Sequence, residues 1–76
     1  MKDFVEFIAK NLVDQPGLVD VQVEERENKI ILRLKVGDQD VGKVIGRQGR
    51  TAHAMRTLVG AIAAKVGKKA ILEIAD

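Results

Sequence analysis

The sequence predicts a two-layer α/β sandwich of element order α-β-β-α-α-β, with a three-stranded mixed sheet and every helix on one face. Three observations lead there. Apolar residues recur at helical spacing near the start of the chain and again beyond residue 50, and alternate two by two in between and at the end. A short polar turn joins the two central strands and sets them antiparallel. The crossover from the second strand, through helices, to the last strand is expected to be right-handed, which leaves those two strands parallel. At 76 residues, residues 1–76 are expected to form one domain with a thin core, because short chains bury a small share of their surface.

Each element follows from its residues. Phe4, Val5, Ile8, Ala9 and Leu12 form one stripe of an amphipathic helix over 2–14, and Pro16-Gly17 stops it. Val19, Val21 and Val23 alternate with Asp20, Gln22 and Glu24, which predicts a half-buried strand over 18–25. Glu25-Arg26-Glu27-Asn28 is the hairpin turn. In the next strand, 30–36, Ile30, Leu32, Leu34 and Val36 face one way, and Ile31, Arg33 and Lys35 the other. Arg33 and Lys35 are expected to pair across strands with Glu24 or Glu73. Gly37-Asp38-Gln39-Asp40 is a loop that offers an aspartate cap to a very short helix, in which Val41, Val44 and Ile45 share a face. A long helix resumes at about Arg50, with Met55, Leu58, Val59, Ile62 and Val66 as its expected core stripe and Gly67 as its carboxy-terminal cap. Ala70, Leu72 and Ile74 then alternate with Ile71, Glu73 and Ala75 in a final strand, 70–75.

Composition narrows the function. The chain has no cysteine and a single histidine, His53, which excludes disulfides, thiolate metal sites and histidine clusters. No cofactor or metal is expected. No apolar run approaches the ~18 residues of a membrane span, and the acidic, amphipathic start does not read as a signal peptide, so the chain is expected to be soluble and cytoplasmic. Phe4 and Phe7 are the only aromatic residues, which argues against modules that stack bases on aromatic platforms.

The net charge of +2 conceals an asymmetry. Residues 1–40 carry six basic and nine acidic side chains, whereas residues 41–72 carry Lys43, Arg47, Arg50, Arg56, Lys65, Lys68 and Lys69 and no acid. Solvated helix faces are often rich in lysine, but 32 consecutive residues without a carboxylate suit an anionic partner better.

The most informative segment is Val44-Ile45-Gly46-Arg47-Gln48-Gly49-Arg50. Two glycines spaced by two residues sit between two helices. They permit a sharp turn and a close backbone approach without a Cβ. The second helix then starts with unpaired N–H groups and a positive dipole end, flanked by Arg47 and Arg50. Those are the parts of a site for a phosphodiester chain.

This segment, set in the helix-first element order, resembles the KH domain of the bacterial, type II form. The resemblance spans essentially the whole chain, which at this length looks like the small single-KH RNA-binding proteins of the KhpA family. It implies a type II KH fold and a non-enzymatic role: the Gly46–Gly49 loop clamps the backbone of about four single-stranded nucleotides. By position, Lys43, Arg47 and Arg50 would meet phosphates, and Gln48 would lie at the loop tip. Val44 and Ile45 would divide between the core and the base groove. The family implies a post-transcriptional regulator or RNA chaperone, a homodimer, and pairing with a larger KH-containing protein, KhpB.

Other readings fit less well. Gly42, Gly46 and Gly49 lack the Gly-Lys-Ser/Thr ending of a P-loop and the spacing of a dinucleotide site. His53 has no carboxylate nearby in sequence to make it a catalyst. The competing class is a protein-interaction module that keeps the fold without RNA affinity; it would be expected to lose its loop glycines or turn the loop acidic. On the long helix, His53, Thr57, Gly60, Ala61 and Ala64 lie opposite the expected core stripe and carry no obligate charge. They are either a quiet face or, as the family suggests, a dimer interface in which Gly60 and Ala64 admit a second helix closely.

Overall fold

The computed structural model describes residues 1–76. Its order is α1 (Lys2–Leu12), β1 (Asp20–Glu25), β2 (Lys29–Lys35), α2 (Val41–Ile45), α3 (Arg50–Ala64) and β3 (Lys69–Ala75). This is the expected α-β-β-α-α-β arrangement with a mixed three-stranded sheet. Boundaries move slightly. Val13 is already extended, so α1 ends two residues before the expected 14. Pro16–Leu18 winds into a single 3₁₀ turn, and β1 therefore starts at Asp20 rather than 18. Proline favours this by fixing its own φ at the first helical position.

The sheet order is β1-β2-β3. β1 and β2 are antiparallel, with Val21 opposite Leu34 and Val23 opposite Leu32. β2 and β3 are parallel, with Leu32 beside Leu72 and Arg33 beside Glu73. The two-residue period sends Val21, Ile30, Leu32, Leu34 and Leu72 towards the helices, where they meet Val5 and Ala9 of α1, Val44 of α2, and Met55, Val59 and Ala63 of α3. Burying one leucine contributes about 1.5–3 kcal/mol, and central β2 supplies both Leu32 and Leu34, almost wholly buried.

The other sheet face is open and polar. Arg33 spans all three strands: its Nη1 donates to Glu24 Oε1 at 3.1 Å and its Nε to Glu73 Oε1 at 3.1 Å. The hydrogen bond from Arg26, then that from Arg33, holds the Glu24 carboxyl below its ordinary value of 4.5. Both expected pairs of Arg33 are present; Lys35 forms no ion pair.

Two expectations need correction. The buried face of α3 is Ala52, Met55, Val59 and Ala63, while Leu58, Ile62 and Val66 are 49%, 39% and 66% exposed. At 100° per residue the buried stripe is rotated by roughly 50° from the one drawn through the large apolar residues. Alanines at 52 and 63 let α3 approach the sheet closely, so its larger side chains fall to the flank. Asp40 precedes α2 but makes no side-chain cap. Its carboxylate, 3% exposed, accepts instead from the backbone N–H groups of Asp14 at 3.3 Å and Gln15 at 3.1 Å. It thereby ties the α1–β1 connection to the start of α2.

Candidate nucleic-acid interface

The glycine turn is built by three departures from ordinary backbone within four residues. Gly46 closes α2, its N–H reaching the Gly42 carbonyl at 2.9 Å, and adopts φ 79°, ψ 173°, a region essentially reserved for glycine. A Cβ there would lie 2.7 Å from Thr51 Cβ and 3.0 Å from the Thr51 backbone nitrogen. Gln48 (φ 56°, ψ 27°) and Gly49 (φ 75°, ψ 12°) are both left-handed. The Gly49 N–H donates to the Gly46 carbonyl at 3.1 Å and closes the turn.

α3 begins at once, with Gly49 at its cap position and no side chain capping the helix. The Arg50 N–H donates to the Arg47 carbonyl, and no side chain caps the amides that follow it, at the positive end of a helix of 15 residues. Arg47 and Arg50 are exposed beside them. Neither forms an ion pair; Arg50 Nη2 donates only to Gln48 Oε1 at 3.3 Å. The opening thus holds two unneutralised guanidiniums at the positive end of a helix, which suits a phosphate.

The other expected site residues divide. Val44 is fully buried and anchors α2 in the core, while Ile45, 37% exposed, presents an apolar side chain to solvent. Lys43 is not free: it pairs with Asp14 and lies 3.7 Å from Asp40 Oδ1. The Asp14 hydrogen bond raises the affinity of its ammonium for its proton, and the two carboxylate charges add to this against some desolvation.

Sequence reasoning missed Arg56. Its Nε and Nη2 donate to the Leu72 carbonyl at 3.3 and 3.2 Å. Residues 69 and 75 bond to the β2 side, so alternation turns the backbone groups of 70, 72 and 74 outward. Arg56 therefore covers one acceptor on the free edge of β3. Only its place in the acid-free segment marked it in the sequence. Of the candidate association face, His53, Thr57, Ala61 and Ala64 are exposed and Gly60 is half-buried. The Thr57 hydroxyl donates to the His53 carbonyl at 3.0 Å, which leaves the His53 imidazole as the free polar side chain on that face.

Residues 2–74 match the family model described as "KhpA/KhpB, KH domain". The chain belongs to the KhpA/KhpB KH-domain family. Similar proteins include the RNA-binding protein KhpA of Clostridium perfringens, 55% identical over 97% of this chain and 99% of its own. KhpA of Borreliella burgdorferi is 51% identical over 97% of this chain and 90% of its own. KhpA of Aquifex aeolicus is 46% identical over all of this chain and 96% of its own. No solved structure gives a significant match. KhpA relatives are named for RNA binding, and the family is not enzymatic. No helix here is long and apolar enough to cross a membrane.

Proposed function

We propose that this protein binds single-stranded RNA by clamping its backbone in the Gly46–Gly49 loop, and acts as a post-transcriptional regulator or RNA chaperone in the cytoplasm. The observation that carries the reading is the glycine turn itself, which sets the start of α3, uncapped by any side chain, beside exposed Arg47 and Arg50. Ile45 beside it offers an apolar contact to a base. The names of the KhpA relatives support RNA as the ligand.

Changing Arg47 and Gln48 both to Asp tests it. The double variant puts two negative charges where phosphate sits. Both side chains are exposed, and aspartate tolerates the left-handed backbone at 48 better than most residues. RNA binding collapses while the melting temperature stays near wild type. A folded double variant with undiminished affinity removes the loop from the mechanism. Two unpaired arginines give a salt slope of about −1.4 on a short single strand; Asp14→Asn leaves Lys43 with Asp40 as its one carboxylate neighbour and steepens the slope towards about −2.

The second element of the proposal is a homodimer through α3. Leu58 and Ile62 are exposed on α3 beside the small-residue face, and large apolar side chains left on a helix surface favour a partner. A dimer offers one strand two weak loops and so raises local concentration. The family's joint name supports KhpB as a further partner through the same kind of domain.

A further inference from the structure

We propose a second anion site, at the far end of α3 from the glycine turn, that holds the continuation of the same nucleic-acid strand. It rests on the reading of the loop as a backbone clamp. The site is formed by Lys29 and Lys69, which the parallel register places side by side on β2 and β3. Like charges opposed on neighbouring strands destabilise a sheet. Here nothing offsets them: neither lysine forms an ion pair, and the neighbouring Glu25 is taken by Lys68 at 3.6 Å. Glu27, in the turn between β1 and β2, pairs with neither.

Lys29 and Lys69 line an open cleft of about 430 Å³ together with Asn28, Gly67, Ala70 and Ile71. Its surface is mixed. Gly67 holds φ 73° with open space where a Cβ would be, so a ligand can approach the backbone there. Ile71, 41% exposed, adds an apolar patch next to the charges. Two unneutralised cations beside a bare backbone and an apolar side chain match a phosphate joined to a base, and bridging the lysines with a phosphate relieves their repulsion.

Position identifies the occupant as a strand already held elsewhere. α3 runs from the glycine turn to Ala64 and is followed by Lys65 and Lys68, with β3 starting at Lys69. Fifteen helical residues, about 22 Å of helix axis, lie between the two sites. No carboxylate occurs in residues 41–72, which include all of that helix, and Arg56 stands midway at the β3 edge. A strand leaving the loop along α3 meets no acid of that segment; to reach the lysine pair it then crosses the end of the sheet, because Lys29 and Lys69 share the open face with Ile31 and Arg33. At the ~3.4 Å per nucleotide of a stacked strand, a tetranucleotide covers about 14 Å and does not reach both sites, whereas about twelve nucleotides cover about 40 Å.

The test is fluorescence anisotropy with uridine oligomers of about four and about twelve nucleotides. The proteins are wild type, Lys29→Gln/Lys69→Gln, the loop variant Arg47→Asp/Gln48→Asp, and the charge-matched control Lys2→Gln/Lys35→Gln. The lysine double variant is expected to bind the longer oligomer about ten-fold more weakly, with its salt slope shallower by about 1.4, and the tetranucleotide as wild type does. Lys29→Glu, which pairs with Lys69, raises the melting temperature and loses the same long-strand affinity. Equal affinity of wild type and the lysine double variant for the longer oligomer overturns the second site. So does an equal loss on both lengths, or the same loss in the control, since either means bulk charge rather than a site. Undiminished binding by the loop variant instead overturns the clamp on which the inference rests.

Discussion

Alanine at Gly46 and alanine at Gly49 look equivalent in the sequence, yet the structure separates them. Both positions have positive φ. At Gly49 the backbone is left-handed and a Cβ meets nothing within 4 Å, so the cost is the left-handed penalty of about 1–2 kcal/mol. At Gly46 the backbone lies in a region that side chains scarcely enter, of order 1–3 kcal/mol. The new Cβ also sits 2.7 Å from Thr51 Cβ and 3.0 Å from its backbone nitrogen. The backbone nitrogen belongs to the first turn of α3 and cannot rotate away, so α3 must shift. Gly46→Ala is therefore expected to cost about 3 kcal/mol or more. For a domain of this size each kcal/mol is roughly 4–8 °C in melting temperature, so Gly46→Ala melts at least ~12 °C below wild type. Thr51→Ala in that background rescues only part of the loss, because the Cβ and nitrogen remain. Urea denaturation measures all three proteins. Equal losses at 46 and 49, or full rescue by Thr51→Ala, would refute the argument that close approach to α3 makes Gly46 obligatory.

Three further outcomes follow from other parts of the fold. Asp40→Ala removes the buried carboxylate that accepts from the part-buried amides of Asp14 and Gln15 and is expected to cost about 1–3 kcal/mol by denaturant titration, whereas a simple loop aspartate would cost under ~0.5 kcal/mol. Ala61→Glu places a charge one turn from exposed Leu58, on the small-residue face of α3; if this face forms the dimer, light scattering shows a folded monomer, and a persistent dimer moves the interface elsewhere. Glu24 has a carboxyl pKa below 4.5 in the folded chain, so its contribution to stability is fully present above the ordinary value and is lost as pH falls through the lowered one. Glu24→Gln should flatten the acid side of the stability profile below about pH 4.5 relative to wild type, and parallel profiles would contradict the Arg26–Glu24–Arg33 assignment.

The sheet and the turn were legible because both are local. Alternation at Ile30, Leu32 and Leu34 fixes which side faces in, and a glycine, two polar residues and a glycine between apolar runs can only be a turn. The α3 face was not legible in the same way. Two stripes compete on that helix, one through Leu58 and Ile62 and one through Ala52 and Ala63, and the choice depends on how closely β3 lets the helix approach. Large side chains drew the sequence reading to the first; the structure buries the second. Asp40 and Lys43 were misjudged for another reason. Their partners Asp14 and Gln15 are 25 to 29 residues away, and no periodicity reports such a contact. The candidate phosphate-binding loop needed no such contact, except at Lys43, where the distant Asp14 decides whether the cation is free.

The most direct measurement is a backbone amide titration by NMR with a uridine oligomer of about four nucleotides. Phosphate held in the loop predicts the largest shifts at Gly46, Gln48, Gly49, Arg50 and Thr51, with smaller changes at Ile45. Shifts centred instead on Gln22, Arg33 and Lys35, on the open face of the sheet, would contradict the account.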